Sequence, residues 1–405
     1  MELIQLENGV IPKNWAVRKL KDIAKIRRGA SPRPIDSPVW FDNKSSIGWL
    51  RISDVTKSKK YLLETDQNLS DPGVKASRFV PNGSLVMSIC ATVGRPILTR
   101  KNVCIHDGFV VFSDLKIDTE YLYYLLSNIE NDWSKHGQTG SQMNLNTSLI
   151  NSTPVFMPLN QTEQSVIASA LSDTDAWIQS LTRLIEKKHQ IKQGAMQTLL
   201  NPYENGRLKK NWMIKKLGEI THIKSGGTPS TSNIDFWNGD IFWCTPTDIT
   251  ALKGKKYLLS TSRKISLNGL ANSSAEIIPA NSILMTSRAT IGDCAINKVP
   301  TTTNQGFKNL IPNDCMEVEF LYYLLATQKQ RLIGLSSGST FLEISKKQLY
   351  NFEVTIPEKP EQVRISTILQ NIDKEITVLE NKLAKAQEIK QGMMQNLLTG
   401  RIRLI

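Results

Sequence analysis

Apolar residues at Ile365, Leu369, Ile372, Ile376, Leu379, Leu383, Ala386, Met393 and Leu397 recur at alternating steps of three and four, broken once at Lys390. That spacing is a heptad seam and predicts one long helix. The same seam runs earlier through Ile167, Leu171, Ile178, Leu181, Ile185, Ala195 and Leu199, with Thr174, Lys188 and Lys192 as polar interruptions. The likeness extends to the letters: IKQGAMQTLL (Ile191 to Leu200) returns as IKQGMMQNLL (Ile389 to Leu398), and at the same offset, without a gap, Glu163-Gln164 meets Glu361-Gln362. Self-similarity over so long a period marks a duplicated domain-plus-helix unit, not a solenoid. Each helix would run about 38 residues, or roughly 57 Å, and its one-sided stripe needs a partner. The other copy is the natural one. The first helix leaves the first domain for the second, and the second helix starts from that second domain, so the two are expected to pack as an antiparallel coiled coil with pseudo-twofold symmetry. A plain dimerisation coil, its seam filled by another chain, is the competing reading.

Between the helices the pattern changes to short apolar runs punctuated by Gly, Pro and Ser. The entry segments IPKNWAVRKL and LKKNWMIKKL predict an extended strand anchored by Trp15 or Trp212. KIRRGASPR (Lys25 to Arg33) and HIKSGGTPS (His222 to Ser230) predict a loop that presents side chains, with Trp40 and Trp237 packing its base. WLRISDVT and WCTPTDIT place Asp54 and Asp248 after a short strand, where a carboxylate either accepts from a cytosine amino group or caps a turn; the cap is the reading preferred. VPNGSLVMSICATVG and IPANSILMTSRATIG read as a turn, a buried strand and a glycine bend. CIHDGFVVF and TTNQGFKNL share Gly-Phe but differ at His106, Asp107, Asn304, Gln305 and Lys308, as a common scaffold with two readouts would. EYLYYLLSN and EFLYYLLAT are short amphipathic core helices, and TGSQMN and SGSTFL are further glycine loops. The fold class is therefore α+β. The expected boundaries are a first domain at 1–158, a helix at 159–200, a linker at 201–211, a second domain at 212–357, a helix at 358–398 and a tail at 399–405.

Charge sharpens this division. The chain has 405 residues and a net charge of +13, and the excess falls in 1–162 and 201–360, while both helical stretches are balanced. A basic surface on two domains suits a polyanion, most economically nucleic acid; lysine kept for solubility is the bland alternative. The five cysteines (Cys90, Cys104, Cys244, Cys294, Cys315) form no close pair, so neither a disulfide framework nor a zinc site is expected, and they read as small buried hydrophobes. No apolar run approaches membrane-spanning length and the first residues lack a signal peptide's regions, so a cytoplasmic protein is expected. The common phosphate-loop, dinucleotide, zinc-protease and hydrolase motifs are missing. Asn201-Pro202-Tyr203 only partly matches the Asn-Pro-Pro-Tyr of adenine methyltransferases and reads as a turn.

The tandem W…K-L…G-x-T/S-P loops, the E-Q at each helix start and the K-Q-G-x-M-Q-x-L-L at each helix end together resemble the specificity subunits of type I restriction-modification systems, over the whole chain. The resemblance implies two target recognition domains, each reading one half of a bipartite, asymmetric site on double-stranded DNA. It also implies that the helices act as a ruler and dock two methyltransferase subunits, that motor-nuclease (restriction) subunits join them, and that this chain is not catalytic on its own. No cofactor is then expected in this chain; S-adenosylmethionine, ATP and magnesium belong to the partners. Unlike some members, the first helix ends directly in NPYENG with no short tandem repeat, which leaves the spacer length open. Candidate DNA-binding residues are Arg27, Arg28, Arg33, Arg51, Arg95, Gln138, Gln142 and Asn144 in the first domain. In the second they are Lys224, Thr228, Lys253, Arg288, Gln305, Lys308 and Thr340. The rival functions are a stand-alone DNA methyltransferase, disfavoured by the missing cofactor loop, and a coiled-coil adaptor, disfavoured by domain-localised charge.

Overall fold

The computed structural model describes residues 3–6, 9–133, 145–336 and 343–405. The chain divides into two compact units, Met1–Thr182 with Asn381–Ile405, and Arg183–Glu380.

In the first unit a five-stranded sheet runs in the order Lys25–Arg28, Phe109–Ser113, Leu85–Ser88, Pro96–Thr99, Tyr61–Leu62, antiparallel except for its last pair. Both of its faces are covered, which is why Leu85, Val86 and Met87 follow one another without a polar residue between them. Leu85, Met87, Val110, Phe112 and Leu98 point to one core with Tyr121, Tyr124 and Ile167, from the helices Thr119–Asn128 and Gln161–Leu199. Val86, Val111, Phe109 and Ile97 point to the other, against Leu50, Val103 and Ile105 of a four-stranded sheet ordered Gln67–Asn68, Gly48–Leu50, Val103–Ile105, Arg78–Val80. The entry strand Trp15–Lys19 pairs antiparallel with Pro154–Pro158, from Trp15↔Pro158 to Lys19↔Pro154, and so delivers the chain to the start of the long helix.

The second unit repeats this plan. Its five strands run Thr221–Ser225, Phe307–Pro312, Ile283–Thr286, Cys294–Asn297, Tyr257–Leu258, and a three-stranded sheet runs Arg263–Ile265, Trp237–Cys244, Thr301–Thr303. Ile283, Met285 and Ile296 face Phe320, Leu324 and Ile365, while Leu284, Ala295 and Phe307 face Cys244 and Ile278. Its entry strand Trp212–Lys216 pairs with Glu353–Pro357.

The long helices are Gln161–Leu199 and Lys359–Leu397, 39 residues each. Their direction is read inside each unit. In the first, Thr174 Oγ1 meets Met393 Sδ at 3.4 Å and Asp175 pairs with Lys390 at 2.7 Å. In the second, Lys188 pairs with Glu375 at 2.5 Å and Lys192 with Asp373 at 2.6 Å. As numbers rise along one helix they fall along the other, so the packing is antiparallel. The polar interruptions of the seam, Thr174, Lys188, Lys192 and Lys390, are the residues that make these contacts, each filling a place where an apolar side chain would otherwise stand. At the head of the first helix Glu163 is fully buried and accepts from Arg403 Nε and Nη2, at 2.8 and 2.7 Å.

Several expectations take on detail. Trp40 and Trp237 each donate to a carbonyl of the preceding loop, Pro34 at 2.8 Å and Ser230 at 3.1 Å. Asp54 and Asp248 are caps: each accepts from the backbone three residues earlier, Arg51 and Thr245, at 2.8 Å. Asn201 closes its turn onto the Tyr203 amide at 3.0 Å. The cysteines need a correction, since Cys104 and Cys244 are buried but Cys90 and Cys294 are half-buried and Cys315 is exposed. Among the described residues no helix is long and apolar enough to cross a membrane.

Candidate nucleic-acid interface

After the edge strand Lys25–Arg28 the first unit's chain turns at Gly29, whose amide donates to the Phe109 carbonyl at 2.9 Å. Only glycine fits, because a Cβ would lie 2.0 Å from the His106 carbonyl oxygen. This close approach lays the loop Ala30 to Ile35 beside His106 and Asp107. Ser31 Oγ donates to Asp107 Oδ1 at 2.7 Å, Arg28 Nε to the Asp107 carbonyl at 2.6 Å, and the Arg33 guanidinium stands 3.8 Å from the carboxylate. His106 Nδ1 accepts from the Gly108 amide at 2.8 Å, so in the neutral ring the proton is on Nε2, a donor. Burial between Trp49 and Phe109 lowers the imidazole pKa, and the Ser31 hydrogen bond lowers that of Asp107. At neutral pH the site therefore holds an uncharged donor beside a carboxylate. Arg51, fixed at the start of the helix Ile52–Lys57, closes the opposite wall, its Nη1 3.3 Å from Gln67 Oε1. Together Arg33, Trp49, Arg51, Ser53, His106 and Asp107 line an open cleft of about 450 Å³.

The second unit builds the same frame with other side chains. Gly227 N donates to Thr303 O at 2.9 Å, and a Cβ on Gly226 would lie 1.9 Å from the Asn304 carbonyl oxygen. Thr228 Oγ1 donates to Gln305 Oε1, as Ser31 does to Asp107. Asn304 Oδ1 accepts from the Gly306 amide at 3.0 Å, as His106 Nδ1 does from Gly108. Trp243, the counterpart of Trp49, donates to the Gly227 carbonyl at 3.0 Å and meets Trp237 edge-on at 4.9 Å. Arg263 lies over this pair, 3.7 Å from the centre of the Trp237 ring.

Of the candidates in the first domain, Arg28, Arg33 and Arg51 gather around Asp107 and the cleft, and Arg27 is an exposed side chain on the same edge strand. Arg95 is half-buried, its guanidinium donating to the Ser58 carbonyl at 3.2 Å, and it is not among the cleft's lining. In the second domain Thr228 and Gln305 are joined directly. Lys224 pairs with Glu276 at 2.6 Å, and Lys253 is exposed in the turn after the helix Pro246–Ala251. Arg288 and Lys308 converge on one carboxylate, Glu343, at 2.9 and 3.2 Å. Lys308 is buried, so its charge is spent inside the domain on Glu343 and it offers no exposed contact. Gln138, Gln142, Asn144 and Thr340 lie outside the described residues. Sequence reasoning marked Asp107 as a differing readout position without carrying it into the DNA-binding candidates, and passed over Ser31 and Arg263. Ser31 and Asp107 could have been found from their register against Thr228 and Gln305; Arg263 carries no such signal, since its place over two tryptophans is a tertiary fact.

The family model for the type I restriction modification DNA specificity domain matches the chain twice, over residues 12–193 and 209–391. The MjaIX specificity subunit of a type I restriction enzyme from Methanocaldococcus jannaschii is 40% identical over 194 residues, spanning 47% of this chain and 44% of that protein, so this alignment covers less than half of the relative. The EcoR124I/EcoR124II specificity subunit from Escherichia coli is 29% identical over 289 residues, 69% of each chain. In fold, the chain is similar to the S subunit of a type I restriction-modification system from M. genitalium, with a TM-score of 0.60, 16% identity, and 97% of this chain and 98% of that one covered.

Proposed function

The chain belongs to the type I restriction-modification specificity family, carrying the DNA specificity domain twice in tandem, and from that premise we propose that each domain reads one half of a bipartite, asymmetric site on double-stranded DNA. The observation that carries this reading is the pair of frames around Asp107 and Gln305, equal in backbone and different in the side chains displayed. A fixed frame with interchangeable groups is what two recognition words need. Exposed arginines at 27, 28, 33 and 51 supply phosphate-binding charge around the first cleft.

The helices hold the domains and receive the partners. Apolar side chains remain exposed along them, among them Trp177, Leu184, Ile191, Val378 and Ile389, which suits two methyltransferase subunits docking there, with restriction subunits joining the assembly. The chain serves as the non-catalytic part of this complex; S-adenosylmethionine, ATP and magnesium are bound by the partner subunits, in the cytoplasm of a prokaryotic cell. The test is to exchange residues 1–158 for the first domain of another family member, co-express the chain with its methyltransferase subunit, and sequence the methylated adenines. One half of the recognised site should change and the other persist, and the chain purified alone should transfer no methyl groups. A swap that alters neither half, or both, would sink the reading.

A further inference from the structure

The two frames match group for group: Ser31 with Thr228, His106 with Asn304, Asp107 with Gln305, and Gly108 with Gly306, each pair making the same hydrogen bond. What differs is the sign and kind of the groups shown. Asp107 is a carboxylate and can only accept; the guanidiniums of Arg33 and Arg51 beside it can only donate. In the second unit the position of Asp107 is taken by a neutral amide that does both, and the positions of the two arginines are taken by Ser230 and Thr245, which carry no charge. Thr228 donates to Gln305 Oε1, which fixes the amide plane and leaves one oxygen lone pair and both Nε2 hydrogens available.

Base edges in the major groove sort along the same line. Guanine shows two acceptors to a guanidinium and cytosine one amino donor to a carboxylate, whereas adenine shows an acceptor and a donor side by side, the pattern that a side-chain amide meets in two bonds. We propose that the shared frame reads a G·C pair in the first domain, through Arg51 and Asp107, and an A·T pair in the second, through Gln305. This rests on the reading of the two domains as DNA readers and adds the chemical identity of one base pair in each half-site.

The experiment uses the full chain assembled with its methyltransferase subunits and a library of DNA sites, with methylated adenines read by sequencing. Asp107→Asn keeps the Ser31 bond and adds a donor; Arg51→Ala and Gln305→Ala remove exposed side chains, so folding is not at stake in either. Asp107→Asn and Arg51→Ala should relax the same single G·C position of one half-site, raising methylation of A·T-substituted sites relative to the original by on the order of 5- to 150-fold. Gln305→Ala should relax an A·T position in the other half-site by a similar factor. Relaxation at a position of the opposite base-pair type, or an equal fall at all sites, would overturn the assignment. If exchanging residues 1–158 leaves both half-sites unchanged, it is the DNA-reading role itself that fails; if the exchange works and these variants relax nothing, only the base assignment fails.

Discussion

The imidazole of His106 sits between Trp49 and Phe109, and burial there holds its pKa below the ordinary 6.5. The sign of its effect on stability follows. An unfolded chain takes up a proton near 6.5 that the folded one refuses until lower pH, so the first unit loses stability as pH falls from about 6.5 toward the folded pKa. His106→Asn, the residue that occupies the same place in the second frame, should flatten the pH dependence of the denaturation midpoint as pH falls below about 6.5. An unchanged slope would show that other groups carry it. At this scale the sequence was informative where a side chain serves its immediate neighbours. Asp54 and Asp248 cap turns three residues away, and the turn chemistry predicts them. It was uninformative for Lys308, whose partner Glu343 arrives from 35 residues further on, and for Arg95, which spends its guanidinium on a carbonyl 37 residues back.

Each short helix EYLYYLL or EFLYYLL is bound to its long helix by a charged cluster, and the two clusters are alike. Lys60, with 4% of its side chain exposed, reaches Glu120 at 2.8 Å, Tyr124 at 3.0 Å and Ser172 at 2.5 Å, while Tyr124 donates to Asp175 at 2.8 Å. Lys256 reaches Glu319 at 2.9 Å and Tyr323 at 2.8 Å, while Tyr323 donates to Asp373 at 2.5 Å. Burial raises the Glu120 pKa, but bonds from Lys60, Tyr61 and Ser172 outweigh it and hold the carboxyl at about 2. The stability this represents is present above the ordinary value of 4.5 and is lost as pH falls through about 2. Lys60→Met should destabilise the first unit by an amount near the lower end of the roughly 3–5 kcal/mol that breaking a buried pair costs, because Glu120 keeps 35% of its side-chain surface. Denaturant unfolding measures this, and a loss below about 1 kcal/mol would mean that water replaces the lysine. The periodicity identified these helices as core but not their polar anchors. A signal was there: KYLL occurs at Lys60 to Leu63 and again at Lys256 to Leu259, and a repeated lysine before an apolar run has no purely hydrophobic explanation.

Across the whole chain the duplicated architecture was legible because the helices repeat without a gap, and the antiparallel sense because connectivity allows little else. The compact units were not, since Thr182 and Arg183 fall on opposite sides of the division within one uninterrupted helix, and periodicity does not show which turns pack with which domain. That division makes a ruler test specific. Four residues inserted after Arg183 leave the pairs of the first unit, Asp175 with Lys390 and Thr174 with Met393, untouched. They displace Lys188 and Lys192 from Glu375 and Asp373 by about 6 Å along the axis and rotate them by about 40°. If the helices set the distance between the two recognition words, restoring this register shifts one word relative to the other while neither word is touched. We expect the assembled complex to lose methylation at the original spacing by more than about tenfold, an effect on the order of 1.4 kcal/mol or more, while the melting behaviour of the first unit is retained. Sequencing the methylated sites checks this against the domain exchange, which should alter a word and keep the spacing. If the inserted chain still modified the original site at its original spacing, the helices would not set the distance, and the register of their ion pairs would be a matter of stability alone.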